Sequence, residues 1–207
     1  MYCAALGELT LIKLEQVSED AMVAAFLRAE VDASRYSGSI TTALDAIGRG
    51  RTLIDVPDLD NAQDCADRKL VLRIHRGYPN DVLFRGFPSD CHWQRVLLES
   101  RDFDAIRYAN HQVLLNLSGG TRRISDGARN FSERPEDYPD MAHVTHVVAK
   151  VRSGQRFPPL ILVKEPGGPV TILEGHSRAT AYAMVGSAHN IEALVGCSAS
   201  MSKWWLY

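Results

Sequence analysis

Hydrophobic and polar positions follow a helical period near the start of the chain. Residues 18–30, SEDAMVAAFLRAE, repeat apolar side chains every three to four positions, which predicts an amphipathic helix. Ser18 is a suitable N-cap, and the two acidic residues after it suit the positive end of a helix. A second helix is predicted over residues 39–48, SITTALDAIG, where Gly48 marks the end.

The middle of the chain carries shorter patterns. Residues 9–14, LTLIKL, and residues 69–75, KLVLRIH, read as strands, and residues 89–109 read as a helix. Residues 117–139, LSGGTRRISDGARNFSERPEDYP, are rich in Gly, Arg, Asp and Pro. We expect a boundary or a functional loop there, because irregular backbone must stay near solvent.

The last third has the clearest pattern. Its predicted elements are a helix over residues 140–154, strands over 158–163 and 170–173, a helix that begins near Ser177, and a strand over 190–196. This order packs naturally as a small mixed α/β layer. We therefore expect an α/β (α+β) fold with a mainly helical region over residues 1–139 and a core over residues 140–207.

Composition and charge narrow the class of protein. The 207 residues are 45% hydrophobic and 23% charged, and the formal net charge is -2. This composition is typical of a globular protein. The charge lacks the basic excess of a dedicated nucleic-acid-binding protein, so we do not favour nucleic acid as a partner. The four scattered cysteines predict reduced thiols. No apolar run approaches the ~18 residues of a membrane helix, and no signal-peptide pattern is seen, so we expect a cytoplasmic protein without a membrane partner.

The most informative stretch is ILEGHSRATAYAMV, residues 172–185, where a strand meets a helix. Gly175 permits a sharp turn, and the first helical turn leaves backbone N–H groups unpaired at the positive end of the helix dipole. Such a terminus binds anions, phosphate above all. Arg178 adds a guanidinium, while His176 and Ser177 can donate hydrogen bonds to the same oxygens.

Glu174 stands where the strand ends and the turn begins. Its carboxylate could hold a divalent cation or accept a proton. A purely structural alternative exists, because strand–glycine–helix junctions occur without ligands, and Arg178 would then pair with Glu174 or Glu192. The residues by themselves leave both alternatives open.

The surroundings of this turn add a family resemblance. VTHVVAKVRSGQRFPPLILV, then VTILEGHSRATAYAMVG, then NIEALVG together resemble the ParB/sulfiredoxin-like superfamily, over roughly residues 140–197. In that family a strand ends in a Gly-x-x-Arg turn before a helix. The turn here, Glu-Gly-His-Ser-Arg, is nearest to the Asp-Gly-His-His-Arg form of the free-serine kinases. His176 stands where sulfiredoxin has its reactive cysteine, and Ser177 replaces an arginine of ParB proteins, so neither sulfiredoxin chemistry nor a CTP clamp is expected.

The resemblance implies a bound nucleotide. ATP or another NTP would place its phosphates at the turn, accompanied by Mg²⁺. Gly175, His176, Ser177 and Arg178 would form the phosphate site, and Glu174 would lie near the metal and the transferred phosphoryl group. The catalytic residues implied are Glu174, His176 and Arg178.

A second group of candidate phosphate ligands lies in the glycine-rich loop. Two glycines precede Thr121, Arg122 and Arg123, and such a turn can embrace phosphates or a nucleic-acid backbone. The Gly-Lys-Ser/Thr ending of a Walker loop is missing. An ordinary surface loop is the alternative.

Two histidines lie three residues apart on the helix predicted over residues 140–154. His143 and His146 could contribute to a metal site, but the sequence offers no third ligand. We therefore expect them on the polar flank of that helix.

The resemblance implies a nucleotide-dependent enzyme with phosphoryl or phosphodiester chemistry at the turn. It would be a small-molecule kinase, an NTP hydrolase or a nuclease, and its partners would be a nucleotide and an acceptor that the sequence does not identify. The alternative is a non-catalytic nucleotide- or DNA-binding ParB-like module. Tight nucleotide binding without a product would favour the module.

Overall fold

The computed structural model of the protein describes residues 12–33, 35–186 and 190–207. Within these ranges the fold is mixed α/β, with six strands in one sheet and eight α-helices. The strands are β1 Ile12–Val17, β2 His92–Leu98, β3 Ile106–Arg107, β4 Leu160–Lys164, β5 Val170–Glu174 and β6 Ile191–Cys197. The helices are α1 Glu19–Glu30, α2 Ser37–Ala46, α3 Thr52–Asp55, α4 Ala62–Arg76, α5 Gln112–Leu117, α6 Ile124–Glu133, α7 Val144–Arg152 and α8 His176–Val185.

The sheet mixes parallel and antiparallel pairs in the order β1-β2-β6-β4-β5-β3. β2 is antiparallel to both β1 and β6, and β4 is parallel to β6 but antiparallel to β5. β3 runs parallel to β5. Three strands precede residue 140 and three follow it, so one sheet joins the two predicted parts of the chain. β5, which leads into the turn, lies between β4 and β3.

The predictions for the last third are confirmed. α7, β4, β5, α8 and β6 follow one another in the predicted order. Both helices predicted near the start are also present: Ser18 caps α1 by accepting a hydrogen bond from the Ala21 N–H at 3.2 Å, and Gly48 follows α2 with a φ of 65°. The strand predicted over residues 9–14 lies partly outside the described residues, and its described part belongs to β1.

The strand predicted over residues 69–75 is wrong, because these residues belong to α4. Asn61 caps α4 by accepting two N–H groups of its first turn, and Gly77 ends it in the left-handed region with a φ of 79°. The alternating apolar positions that suggested a strand include Leu70 and Ile74, which are exposed on the helix. Both caps lie outside the apolar run, so the run gave no sign of the helix length.

The helix predicted over residues 89–109 is also wrong. The chain here forms β2, a 3₁₀ helix over Ser100–Asp104, and β3. β2 has hydrogen-bonded neighbours on both sides, and its residues Trp93 and Val96 are buried. Pairing with distant strands therefore overrides the local pattern.

The irregular segment expected over residues 117–139 contains α6. Its apolar residues Ile124 and Phe131 are buried, and α6 packs against α8. A Cβ at Gly127 would lie 2.6 Å from the ring of Tyr108. This glycine thus allows close packing of a helix and is not part of an open loop.

The helices pack in two groups, and α8, the helix that follows the turn, belongs to the second. α4 packs against α1, α2 and α3, whereas α8 packs against α6 and α7. α8 starts directly after β5, the strand between β4 and β3. Its first turn is therefore held by the sheet on one side and by α7 on another.

The cysteines are not all reduced. Cys65 and Cys91 are free thiols, whereas Cys197 is disulfide-bonded. The expectation of reduced thiols is therefore wrong for Cys197, and Cys3 lies outside the described residues. In the described ranges, no helix combines the length and apolar character needed to cross a bilayer.

Candidate functional site

The turn between β5 and α8 depends on Gly175. Its φ of 106° lies in the left-handed region, which favours glycine. A Cβ at this position would lie 2.5 Å from Cδ2 of Leu160 and 3.0 Å from Nη2 of Arg178. β4 and the Arg178 guanidinium therefore leave no room for a side chain at the turn.

The first turn of α8 presents backbone N–H groups without protein acceptors. The carbonyl of Gly175 accepts the N–H of Ala179 at 2.8 Å, which starts the helical hydrogen-bond series. Within the described residues, no group accepts a hydrogen bond from the N–H of His176, Ser177 or Arg178. Three donors and the positive end of the helix dipole therefore meet at the place where the sequence predicts phosphate.

The guanidinium of Arg178 is engaged by the protein's own groups. Its Nη1 donates to the main-chain carbonyls of Pro158 and Pro159, the latter at 3.2 Å, and its Nη2 donates to Oε2 of Glu174. The side chain is 8% exposed. The ion pair with Glu174 is thus present, while Glu192 pairs elsewhere. A phosphate contact by Arg178 stays a prediction, and it would use Nε, the second N–H of Nη2, or the displacement of one of these bonds.

Glu174 is the acidic group of the turn. Burial raises the pKa of Glu174 to about 7, although the charge of Arg178 opposes the shift. Its Oε1 atom accepts from no described donor. A carboxyl group with this pKa can both take up and release a proton near neutral pH, as general acid–base catalysis requires.

His176 is a neutral imidazole at the start of α8. Its ring stacks on Tyr108 with centroids 6.2 Å apart, and burial, assisted by the charge of Arg35, lowers the pKa of His176 to about 3. Its Nε2 atom is buried without a hydrogen-bond partner among the described residues. Such an atom costs free energy unless a ligand or water satisfies it, so it marks a place for a polar ligand atom.

Ser177 is hydrogen-bonded to a histidine of the neighbouring helix. Its Oγ lies 2.5 Å from Nε2 of His143, the residue just before α7. The other histidine of the pair, His146, is exposed. The expectation that both lie on the polar flank of the helix is confirmed for His146, whereas His143 joins the turn.

Arg35 supplies a cation that the sequence did not point to. It is exposed, its guanidinium lies 4.6 Å from the ring centroid of Tyr36, and it forms no ion pair with a described residue. Its charge acts on His143, Glu174 and His176, lowering the pKa of both histidines. The turn therefore lies within the electrostatic range of this exposed guanidinium.

A buried acid–base cluster flanks the turn. Glu30, at the end of α1, is 4% exposed. It accepts hydrogen bonds from Nε of Arg76 at 2.9 Å and from Nη2 of the same residue, and it lies 2.7 Å from Nε2 of His75. The charges of Glu30 and Arg76 both act on Glu174. The ends of α1 and α4 therefore lie close to the turn, although no sequence motif links these helices to it.

At the second predicted phosphate site, two of the three side chains donate hydrogen bonds to acceptors of the protein itself. The guanidinium of Arg122 donates from all three nitrogens to main-chain carbonyls. The acceptors are Tyr108 at 2.9 Å, Tyr207 at 2.6 Å and Leu206 at 3.3 Å. The hydroxyl of Thr121 donates to Asp126 at 2.7 Å, and Arg123 is exposed. Of this trio, Arg123 has the side chain best placed to meet a ligand.

A metal at the turn would depend on few protein ligands. Within the described residues, no group of three or more His, Cys, Asp or Glu side chains is arranged to hold a metal ion. Mg²⁺ in phosphate sites is usually held by one or two carboxylates together with substrate phosphates. The uncommitted Oε1 of Glu174 fits that pattern.

Two surface concavities lie away from the turn. One, of about 370 Å³, is lined by residues of α1 and α4 such as Asp20 and Lys69. The other, of about 290 Å³, is lined by Phe103, Arg129 and the end of α8. Neither of these two concavities includes a residue of the turn.

Comparison with known proteins gives no family assignment. No protein-family model, no curated protein and no solved structure matches the chain. The resemblance to the ParB/sulfiredoxin-like superfamily therefore rests on the motifs of residues 140–197.

Proposed function

We propose that the protein is a nucleotide-dependent enzyme that binds the phosphates of an NTP at the turn between β5 and α8. The observation that carries this proposal is the set of three backbone N–H groups without described acceptors, at a turn on which the charge of the exposed Arg35 acts. Directed N–H donors and a free cation suit the charged oxygens of a triphosphate. The ParB-like motifs point to the same turn and to ATP or another NTP.

The residues of the turn have separate roles in the proposed phosphoryl transfer. Arg178 and Gly175 fix the shape of the backbone, so that the N–H groups are oriented before the ligand binds. His176, as a neutral imidazole, offers a buried Nε2 to a ligand atom. Glu174 exchanges a proton near neutral pH.

Magnesium fits this site through Glu174. Together with the nucleotide phosphates, its Oε1 would hold the ion, which when bound neutralises charge on phosphoryl oxygens. Glu30, the other carboxylate whose charge acts on the turn, is committed to Arg76 and His75.

The experiment that tests this function combines nucleotide binding with product analysis. Calorimetric titration with each NTP and Mg²⁺ should show binding, and Arg35→Ala should weaken it about 10- to 100-fold, the effect of losing a charge-assisted hydrogen bond. The matched control is Arg134→Ala, an arginine with 61% side-chain exposure that pairs with Asp137. Equal affinity in the Arg35 variant and the wild type would contradict the proposed site.

Chromatography of the reaction mixture then distinguishes the reaction classes. Release of phosphate indicates an NTP hydrolase, transfer to an added alcohol or amino acid indicates a kinase, and cleavage of a polynucleotide indicates a nuclease. Tight binding without any product would instead support the non-catalytic nucleotide- or DNA-binding module.

The location of the protein in the cell stays a proposal. The cytoplasm is the location that the sequence led us to expect. The disulfide at Cys197 is the observation that opposes it, because cytosolic thiols are normally kept reduced.

A further inference from the structure

Ser177 and His143 are brought together by the packing of two helices. Ser177 Oγ lies 2.5 Å from His143 Nε2, although the residues are 34 positions apart in the sequence. α7 and α8 pack along one another, and both side chains are partly exposed. A ligand at the start of α8 can therefore reach the serine oxygen.

The contact between the two side chains suits a proton transfer from Ser177 to His143. In the tautomer that carries the ring proton on Nδ1, Nε2 accepts the hydrogen bond of the Ser177 hydroxyl. Burial and the charge of Arg35 lower the pKa of His143, so the imidazole is neutral. A neutral imidazole that can take the serine proton is the arrangement that activates serine nucleophiles.

The backbone donors of α8 flank the same oxygen. Ser177 is the second residue of the helix, so the unengaged N–H groups of His176 and Arg178 are its immediate neighbours. A serine in a strand–turn–helix junction, with a histidine base and free amides beside it, shares the layout of nucleophile elbows. In such sites the amides stabilise charge that builds on the attacked group.

Building on the proposed function, we propose that Ser177 is a nucleophile that takes a phosphoryl group from the bound NTP and becomes phosphoserine. The Oγ–P bond forms while the bond from the γ-phosphorus to the bridging oxygen breaks. The leaving diphosphate keeps the electron pair, and the serine proton passes to Nε2 of His143. The positive charge of Arg35 beside the turn favours a phosphoryl group over an uncharged acyl group.

The second half of the reaction regenerates the serine. An acceptor hydroxyl or a water molecule attacks the phosphorus, and the P–Oγ bond breaks. His143 returns its proton to Oγ, and the proton of the acceptor passes to solvent. The cycle thus transfers one phosphoryl group and leaves the protein unchanged.

The test is to trap the phosphoserine. The full chain is incubated with each NTP and Mg²⁺ without an acceptor, quenched in acid, and analysed by intact and tandem mass spectrometry. We expect one phosphoryl group on Ser177, which survives acid whereas phosphohistidine does not. Ser177→Ala should abolish it, and His143→Gln should slow its formation about 100-fold or more, as for loss of a general base. His146→Gln, an exposed histidine on the same helix, is the matched control and should leave it unchanged.

The outcomes separate this inference from the proposed function. If Ser177→Ala turns over NTP at the wild-type rate and no phosphoserine forms in the wild type, Ser177 is not a nucleophile, while the nucleotide-dependent function stands. If the wild type binds no NTP, both proposals fall. If Ser177→Ala does not fold, His143→Gln carries the test, because undiminished phosphoserine formation in that variant would overturn the role of the base.

Discussion

Two glycine- and arginine-containing segments were expected to bind phosphate. They differ in how many of their hydrogen-bond donors already have acceptors within the protein. At the turn over residues 174–178, three backbone N–H groups lack described acceptors, and the charge of the exposed Arg35 acts on the turn. At the loop over residues 119–123, the guanidinium of Arg122 donates hydrogen bonds to three main-chain carbonyls. Both segments have the composition of a phosphate loop, but only the first leaves several donors together and unused.

The comparison also separates two roles for arginine at one site. Arg178, which the motif marks as the phosphate ligand, holds a buried carboxylate and two carbonyls. Arg35, which belongs to no motif, is exposed beside the turn. A sequence motif therefore identifies residues that a turn requires, whether for the ligand or for its own shape.

The largest effect is expected from removing Arg178. Arg178→Ala should lower the free energy of unfolding by about 3–5 kcal/mol, because it leaves the carboxylate of Glu174 buried without its partner. Urea denaturation measures the change, and Arg35→Ala is the control, with a loss of at most about 0.5 kcal/mol for an exposed side chain. A loss below about 1 kcal/mol for Arg178→Ala would mean that its guanidinium is not committed to the fold.

A smaller effect is expected at the loop. Arg122→Ala should lower the free energy of unfolding by about 2 kcal/mol, since three carbonyls lose a charged donor. The adjacent exposed residue gives the control, and Arg123→Ala should stay within about 0.5 kcal/mol of the wild type. Neither substitution should alter NTP affinity. An affinity loss in Arg123→Ala as large as that in Arg35→Ala would instead make the loop part of the site.

A third expected effect is a pH dependence at the turn. The pKa of His176 falls to about 3, so on acidification below its ordinary value of 6.5 only the unfolded chain takes up this proton. Stability present above about pH 6.5 is therefore lost toward pH 3, by at most about 1.4 kcal/mol per pH unit. Glu174 acts in the opposite direction between its ordinary 4.5 and about 7, because its raised pKa lets the folded state bind a proton first.

A substitution isolates the histidine contribution. His176→Phe keeps a ring against Tyr108 but cannot titrate, so its stability relative to the wild type should rise as the pH falls from about 7 to about 5. Urea denaturation at both pH values measures this, with His146→Gln as the exposed control. A difference that does not change with pH would show that His176 is protonated as readily in the folded state as in the unfolded chain.

The sequence predicted the local parts of the fold and missed those that depend on distant contacts. Caps, glycines and continuous apolar runs in the sequence predicted six elements, namely α1, α7, β4, β5, α8 and β6. β2 was mistaken for a helix because its partners, β1 and β6, lie about 80 to 100 residues away along the chain. α4 was mistaken for a strand because an apolar run within it alternates.

The candidate site divides in the same way. The turn with Gly175 and the anion-binding start of α8 follow from adjacent residues, so the sequence predicted them. Arg35 and His143 reach the turn only through helix packing, and the ends of α1 and α4 bring Glu30 beside it. No local pattern around these residues encodes that convergence.

The measurement that tests the central claim most directly is a titration of ¹⁵N-labelled protein with ATP and Mg²⁺, followed by backbone amide resonances. If phosphates bind at the turn, the amides of His176, Ser177 and Arg178 should show the largest shifts, and those of residues 119–123 should barely move. At a ligand concentration near the wild-type Kd, the shifts at the turn should be much smaller in the Arg35→Ala variant. Amides at the turn that stay fixed while nucleotide binds elsewhere, or not at all, would contradict the account.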